Sequence, residues 1–283
     1  MILLIVSLLG MGLFLWPFTG LGLPTSTPAL AIGLGCALGL LVFEVGTRRL
    51  DSRSLSLLAA LSAADAALRA ALVTGIGGFS PIFLLVLCGG YALGPTFGFL
   101  VGAGSLLTSA LVTGGLGPWV PYQLFALGWV GLVAGWAGSL RRGSRPTAVD
   151  IALLAGVGAV TGIAFGAVMD IWNWTFYAGS PQLGWHTGLG PGSALARFVR
   201  YYLVTSLGYD SFRAVGNALM VILLGLPILA GLRRIGRRFR LDWVGAEVPL
   251  GSRAAPPPDR HREDELVAPA VAAAGTGPGS APL

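Results

Sequence analysis

The sequence contains no lysine, so all 18 of its basic residues are arginine. A phosphate-binding loop uses a lysine to reach the nucleotide phosphates, and Schiff-base catalysis uses a lysine amine. The absence of lysine therefore excludes both ATP hydrolysis through such a loop and Schiff-base chemistry for this chain.

Cysteine and histidine are also scarce, with two residues of each. Cys36 and Cys88 lie within apolar runs, where cysteine is more often a small buried side chain than half of a disulfide or a metal ligand. His186 and His261 stand apart from any cluster of Cys, His or carboxylate side chains. The sequence therefore predicts no metal site, and we expect no other cofactor.

Charge is scarce as well, because charged residues make up 11% of the chain, hydrophobic residues make up 54%, and the mean hydropathy is +0.78. So few polar groups do not cover a water-soluble globule. Most of the apolar runs approach the roughly 20 residues with which a helix crosses a bilayer. These runs are 2–16, 29–46, 54–74, 81–94, 96–113, 122–138, 150–176 and 211–232. The sequence thus predicts an all-α integral membrane protein with eight spans.

Two of these spans are less regular than the others. The run 2–16 has the length of the apolar part of a signal peptide, but it has neither a basic start nor a small-residue cleavage site, so we interpret it as a retained helix. The run 81–94 is shorter than a full crossing. After about Asp242 the chain becomes rich in Pro, Ala, Gly and charge, which predicts a disordered tail.

The arginines are concentrated in three groups, at 48–53, 141–145 and 233–240. Arginine-rich loops stay on the cytoplasmic side of a membrane. Eight spans with both termini in the cytoplasm place all three groups on that side, and they leave the uncharged segments 75–80 and 114–121 outside. Topology therefore explains the net charge of +6 without nucleic-acid binding, for which the sequence has no separate basic module.

Polar side chains within the predicted spans gather near the outer surface, whereas the inner stretches 127–138 and 218–232 contain no ionisable residue. The outer polar residues are Arg69, Gln123, Asp170, Asn173, Asp210, Arg213 and Asn217. This pattern predicts a pocket that is open to the exterior and closed below, and it argues against a continuous pore or proton relay. In an alternative interpretation, Asp65 with Arg69 and Asp210 with Arg213 only neutralise each other.

Aromatic residues flank the same outer region. Trp119 lies between Pro118 and Pro121, which restrict its backbone, so its ring offers a fixed surface on which a conjugated ligand can stack. The alternative is an aromatic anchor at the membrane interface. The long outer segment 177–210 is typical of a lid or binding loop, although its helix with Arg197, Arg200, Tyr201 and Tyr202 also fits an interfacial helix.

Small residues recur every fourth position in three helices. Ala59, Ala63 and Ala67 form a stripe nearly opposite to Asp65 and Arg69, which leaves one helix face free for another helix. The glycine repeats 94/98/102 and 158/162/166 are predicted instead to be packing seams within the chain.

The chain from about Ser54 to Arg240 resembles the substrate-binding S components of energy-coupling factor (ECF) vitamin transporters. The resemblance is carried by "GGYALGPTFGFLVGAGSLLTSALVTGGLGPWVPYQLFALGWVGLVAG", "GIAFGAVMDIWNW" and "RYYLVTSLGYDSFRAVGNALMVILLG". It implies a six-transmembrane-helix core at 48–240 in a bacterial cytoplasmic membrane, with both termini cytoplasmic. In this chain two extra N-terminal helices at 1–47 and a disordered cytoplasmic tail at 241–283 would be added to that core.

The resemblance also implies a site and partners. An A-x-x-x-A face, here Ala59, Ala63 and Ala67, would dock onto a transmembrane scaffold (T) subunit that works with two ATPase subunits. A vitamin-type small molecule would bind in a pocket built from 75–80, 114–123, 170–185 and 197–217. The residues expected to line it are Phe79, Trp119, Tyr122, Gln123, Asp170, Trp172, Asn173, Trp174, Trp185, Tyr201, Asp210, Arg213 and Asn217.

This resemblance predicts substrate capture without covalent chemistry. The closest likeness is to members that handle cobalamin or a related compound, whose amides would pair with Gln123, Asn173 and Asn217, and riboflavin is the alternative substrate. A second hypothesis is an integral-membrane enzyme that uses Asp170, His186 and Asp210 on the outer face, although no known catalytic spacing is present. A third is a stand-alone transporter, for which the mid-membrane polar positions and the related halves are missing.

Overall fold

The computed structural model describes residues 2–20, 35–36, 39–40, 42–43, 47, 50–71, 80–141, 143 and 145–238. Helices dominate this part of the chain, and no strand occurs in it. The helices are α1 (Ile2–Leu15), α2 (Ser52–Ala71), α3 (Ile82–Leu93), α4 (Pro95–Thr113), α5 (Val120–Ser139), α6 (Ala148–Trp174), α7 (Pro191–Thr205) and α8 (Leu207–Arg238). A 3-10 turn, Trp16–Phe18, follows α1.

Four of the described helices, α4, α5, α6 and α8, are long and apolar enough to cross a membrane. The chain is therefore an all-α, multi-pass membrane protein. The six-helix core with two additional helices is not confirmed, because α1 and α3 have only 14 and 12 residues and α2 contains Arg53, Asp65 and Arg69. The tail 241–283, Phe79 and most of the predicted span 29–46 lie outside the described residues.

Local sequence signals set several helix ends. Thr147 caps α6, because its hydroxyl accepts a hydrogen bond from the Asp150 N–H while the Asp150 carboxylate accepts one from the Thr147 N–H, which is a capping box. Gly114 ends α4 in the left-handed conformation, with φ of 67°, a backbone region in which glycine is unstrained.

The helices alternate in direction. Tyr91 at the end of α3 and Arg233 near the end of α8 both bond Asp150 at the start of α6, so α6 runs opposite to α3 and α8. Arg69 near the end of α2 bonds Ser109 near the end of α4, so these two helices are parallel. Helix α3 is buried along almost its whole length and lies among α2, α4, α5, α6 and α8.

Two ends of the bundle follow from this arrangement. The arginine end carries Arg141, Asp150 and Arg233, and the aromatic end carries Trp119, Trp172 and the α7 helix. Arg141 and Arg233 thus lie together, as the positions of the arginine groups predicted. Helices α2, α4 and α6 run toward the aromatic end, and α3, α5 and α8 run away from it.

Glycines allow the central helices to touch through their backbones. A Cβ atom added at Gly98 or Gly102 of α4 would collide with the backbone of α5, and one added at Gly131 would collide with the backbone of Gly98. Along α6, Gly158, Gly162 and Gly166 also face α8, but an added Cβ atom would first meet side chains there, such as Asn217 at Gly162 and the Asp210 carboxylate at Gly166. The predicted packing seams at these glycines are confirmed, whereas a Cβ atom at Gly94 would meet nothing within 4 Å.

Candidate functional site

Three helices bring polar side chains together at the aromatic end. Asp170 near the end of α6 and Asp210 near the start of α8 are both buried, and Tyr202 on α7 lies beside them. The Asn173 side-chain amide donates a hydrogen bond to Asp170 Oδ1 over 3.2 Å. Arg213 forms an ion pair with Asp210 and packs its guanidinium 5.5 Å from the Phe165 ring centre and 5.4 Å from that of Tyr209. We call Asp170, Asn173, Tyr202, Asp210 and Arg213 the polar cluster.

Three atoms of the polar cluster are buried and have no hydrogen-bond partner among the described residues: Asp170 Oδ2, Asp210 Oδ2 and the Tyr202 hydroxyl. Burial first, and then the nearby charges of Asp210 and Asp170, raise the pKa of Tyr202 to about 12. The three groups therefore share one electrostatic neighbourhood. A buried polar group without a partner costs about 1–3 kcal/mol, so the cluster is arranged to receive a further partner.

An aromatic group lies at the same end of the bundle. The Trp172 ring contacts those of Trp119, Tyr122 and Phe176, with centroid distances of 6.0, 6.0 and 4.8 Å. Trp119 remains 37% exposed, and its indole N–H donates to the Gly115 carbonyl over 3.3 Å. Trp119 therefore presents an open face and is held in orientation by this hydrogen bond.

A second aromatic group has a different role. Trp174 is fully buried among Phe18, Leu183, Phe198 and their neighbours, and its indole N–H donates to the Leu183 carbonyl over 2.6 Å. The Trp185 indole N–H donates to the Pro17 carbonyl over 2.9 Å. The two indoles thus fasten the segment after α6 to the bundle and to the 3-10 turn. The structure places Trp185 in this second group rather than in one rim with Trp119 and Trp172.

The remaining predicted site residues are distributed around these groups. Tyr201 is buried in the second aromatic group, where it contacts Tyr177 and Phe198. Gln123 is half-buried in the first helical turn of α5. Asn217 is 2% exposed and donates its side-chain amide to the Gly158 carbonyl over 3.1 Å, so this donor already serves the contact between α6 and α8.

Asp65 and Arg69 do not join the polar cluster through any described hydrogen bond. Arg69 donates to Ser109 on α4 over 3.2 Å, and both carboxylate oxygens of Asp65 are buried without a hydrogen-bond partner. The two charges act on each other electrostatically, but the direct ion pairs of the described chain do not include them. Asp210 and Arg213 do form the ion pair that their spacing suggested.

The list of site residues expected from the sequence omits two residues, Tyr202 and Phe176, that the structure places in these groups. Tyr202 adjoins Tyr201 in α7, and the sequence does not show which of two consecutive side chains faces the bundle. Phe176 follows the end of α6, beyond the reach of helical periodicity. The high aromatic content of 172–177 was a usable signal for Phe176.

At the arginine end, several parts of the bundle are bonded to the carboxylate of Asp150. Its carboxylate accepts hydrogen bonds from Tyr91 on α3 and Arg233 on α8, each over 2.9 Å, and it is joined to the α6 cap at Thr147. Arg141, after α5, lies 3.7 Å away. One buried carboxylate therefore connects four parts of the bundle, α3, the segment after α5, α6 and α8, at the end opposite to the polar cluster.

The row of Ala59, Ala63 and Ala67 on α2 is exposed along its whole length. Helix α2 packs against α3 and α4 through its opposite side, where Ser62, Asp65 and Ala66 are buried. Helix α1 packs instead on α5 and α6, so this N-terminal helix leaves the alanine row uncovered.

Comparison with known proteins adds no relative. No protein-family model, no curated protein and no solved structure matches this chain. The likeness to S components therefore stays a prediction from the residues. In the part of the chain that the structure describes, no group of three or more Cys, His, Asp or Glu side chains could hold a metal ion.

Proposed function

We propose that this chain is the substrate-capture (S) component of an ECF-type importer and binds a vitamin-type small molecule at the aromatic end. The observation that carries the proposal is the convergence of three buried, unpartnered polar atoms, from α6, α7 and α8, at the end of the bundle that also carries the partly exposed Trp119. Arginine-rich ends stay in the cytoplasm, so the aromatic end faces outward and the substrate arrives from outside.

The polar cluster favours a ligand that carries hydrogen-bond donors. Asp170 Oδ2 and Asp210 Oδ2 are acceptors without a partner, and a ligand N–H or O–H would satisfy them. The open face of Trp119 suits a flat conjugated ring. Cobalamin or a related compound combines amide N–H groups with a large ring and is our first candidate. Riboflavin, which combines hydroxyl groups with a flat ring, is the second.

Delivery across the membrane requires a partner in this proposal. The Asp150 network closes the arginine end, and a chain without lysine has no phosphate-binding loop of its own. The exposed alanine row on α2 supports docking onto a scaffold (T) subunit, because small side chains allow close helix approach in a membrane. Two ATPase subunits would then supply the energy for release inside.

The geometry favours binding over catalysis. An enzyme at this end would combine His186 with Asp170 and Asp210. His186 is exposed, and its Nδ1 lies 2.9 Å from the carbonyl oxygen of Thr187. No hydrogen bond of the described chain joins it to either carboxylate, so a general acid or base at His186 has no described partner in the polar cluster.

Ligand binding without nucleotide is the first test. The purified chain is titrated with cobalamin, riboflavin, thiamin, biotin and folate, and we expect tight binding of one of them. Tyr202→Phe removes a buried hydroxyl without a hydrogen-bond partner among the described residues, so we expect thermal stability not to fall but binding to be about three- to tenfold weaker, the loss of one hydrogen bond. Isothermal titration calorimetry measures both affinities.

Tyr209→Phe is the matched control, because it removes the hydroxyl of an exposed tyrosine next to Asp210 and keeps the ring beside Arg213. Its affinity should equal that of the unaltered chain. Failure of all five vitamins to bind, or equal affinity of the Tyr202→Phe and Tyr209→Phe variants, would contradict the proposed site.

Docking is the second test. Ala63→Trp places a large ring in the middle of the alanine row, so we expect vitamin uptake by cells to be lost while binding to the purified chain is unchanged. Val160→Trp is the control, because Val160 is 69% exposed on α6, away from α2. Loss of binding in the Ala63→Trp variant would assign the row to the fold, and normal uptake would remove it as a docking face.

A further inference from the structure

A groove at the arginine end is separate from the polar cluster. It has a volume of about 610 Å³ and lies between the segment before α6 and the last part of α8. Its apolar lining is Pro146, Leu226, Pro227, Ala230 and Gly231, and its basic lining is Arg145, Arg234 and Arg237. This volume is in the range of small-molecule sites.

The arginine side chains near the end of α8 point in two directions. Arg233 points inward, where its side chain is 9% exposed and bonds Asp150. Arg234 and Arg237, one helical turn apart, point into the groove. The ion pairs of the described chain use Arg141, Arg213 and Arg233 and leave the three groove arginines without an acidic partner.

The lining of the groove changes from apolar to basic along α8. Leu226, Pro227 and Ala230 are exposed apolar residues of α8, which is long and apolar enough to cross a membrane. Arg234 and Arg237 follow them toward the end of this helix. The groove is open at Gly231, which has no side chain, because a Cβ atom there would meet nothing within 4 Å. An apolar wall continuous with a basic rim has the polarity profile of a phospholipid, with acyl chain below and headgroup above.

We propose that this groove binds an anionic phospholipid. Arg145, Arg234 and Arg237 bind the phosphodiester, which guanidinium groups hold through paired hydrogen bonds, and an acyl chain lies along Leu226 and Pro227. Basic pockets on the cytoplasmic side of membrane helices select anionic headgroups in this way. Free phosphate would satisfy the arginines but would leave the apolar wall uncovered, so the lipid fits the whole groove.

The test uses the full chain in nanodiscs of phosphatidylcholine that contain a small fraction of phosphatidylglycerol. Native mass spectrometry after release counts the lipid that stays bound, and we expect phosphatidylglycerol to be enriched over its fraction in the disc. Each of Arg145→Gln, Arg234→Gln and Arg237→Gln should weaken its retention about fivefold. Gly231→Trp keeps every arginine and fills the groove, so it should also release the lipid.

Arg200→Gln is the matched control, because Arg200 is an exposed arginine on α7 at the opposite end, and it should retain phosphatidylglycerol fully. Equal retention of the two lipids, or full retention in the Gly231→Trp variant, would overturn the proposal. Displacement of the lipid by millimolar inorganic phosphate would show a free-anion site instead. Groove variants that keep the lipid but lose assembly with a scaffold would show a protein-docking surface.

Discussion

Gly131→Val is expected to prevent α4 and α5 from packing against each other. The carbonyl group and Cα atom of Gly98 occupy the space that a Gly131 Cβ atom would need, and backbone atoms in two regular helices cannot turn aside as a side chain does. Overpacking a core costs about 1–3 kcal/mol where side chains can adjust, and occasionally more. We expect a cost at or above the upper end of that range, and a sharp fall in monodisperse protein on size-exclusion chromatography in detergent.

Gly156→Val is the control for this prediction. Gly156 lies on α6, and a Cβ atom there would meet nothing within 4 Å, so the same change should leave yield and thermal stability nearly unaltered. Similar yields for the two variants would mean that α4 and α5 do not touch through their backbones. The prediction concerns folding alone and is independent of the proposed ligand.

Asp150→Ala is expected to give the second large effect, at the arginine end. It leaves the guanidinium of Arg233 buried without its partner, and removing one member of a buried ion pair costs about 3–5 kcal/mol. It also removes one half of the capping box of α6, the bond from the Thr147 N–H to the carboxylate, while the Thr147 hydroxyl can still cap the N–H of residue 150. The midpoint of thermal unfolding in detergent should fall by on the order of 10 °C.

Arg141→Gln provides the comparison within the same network. The Arg141 side chain is 42% exposed and lies 3.7 Å from Asp150, and exposed ion pairs contribute about 0–1 kcal/mol. Its unfolding midpoint should therefore stay close to that of the unaltered chain. If Asp150→Ala were as mild as Arg141→Gln, the buried network would not hold this end closed.

The two predictions separate structure from proposed function. Gly131 and Asp150 lie in the packing seam and at the arginine end, whereas the unpartnered groups of the polar cluster lie at the aromatic end. Substitutions in the seam should reduce folding, and Tyr202→Phe should reduce binding without reducing folding. This difference follows from where polar groups are already bonded and where they are not.

The sequence by itself determined the membrane class and the positions of the long helices. The predicted runs 96–113 and 122–138 lie within α4 and α5, and 211–232 lies within α8. The length of an apolar run is a local property, because a helix satisfies its own backbone hydrogen bonds wherever lipid surrounds it. Glycine spacing located the packing seams for the same reason, since it is read along one helix face.

Only the tertiary structure decided which side chains meet. The bond from Arg233 to Asp150 joins positions 83 residues apart, and the choice of Tyr202 over Tyr201 for the polar cluster depends on how α7 is rotated. Trp185 pairs with Pro17, and Arg69 of α2 bonds Ser109 of α4. Hydrophobic periodicity fixes the buried face of each helix, but the rotation and depth of its neighbours fix the partners on that face.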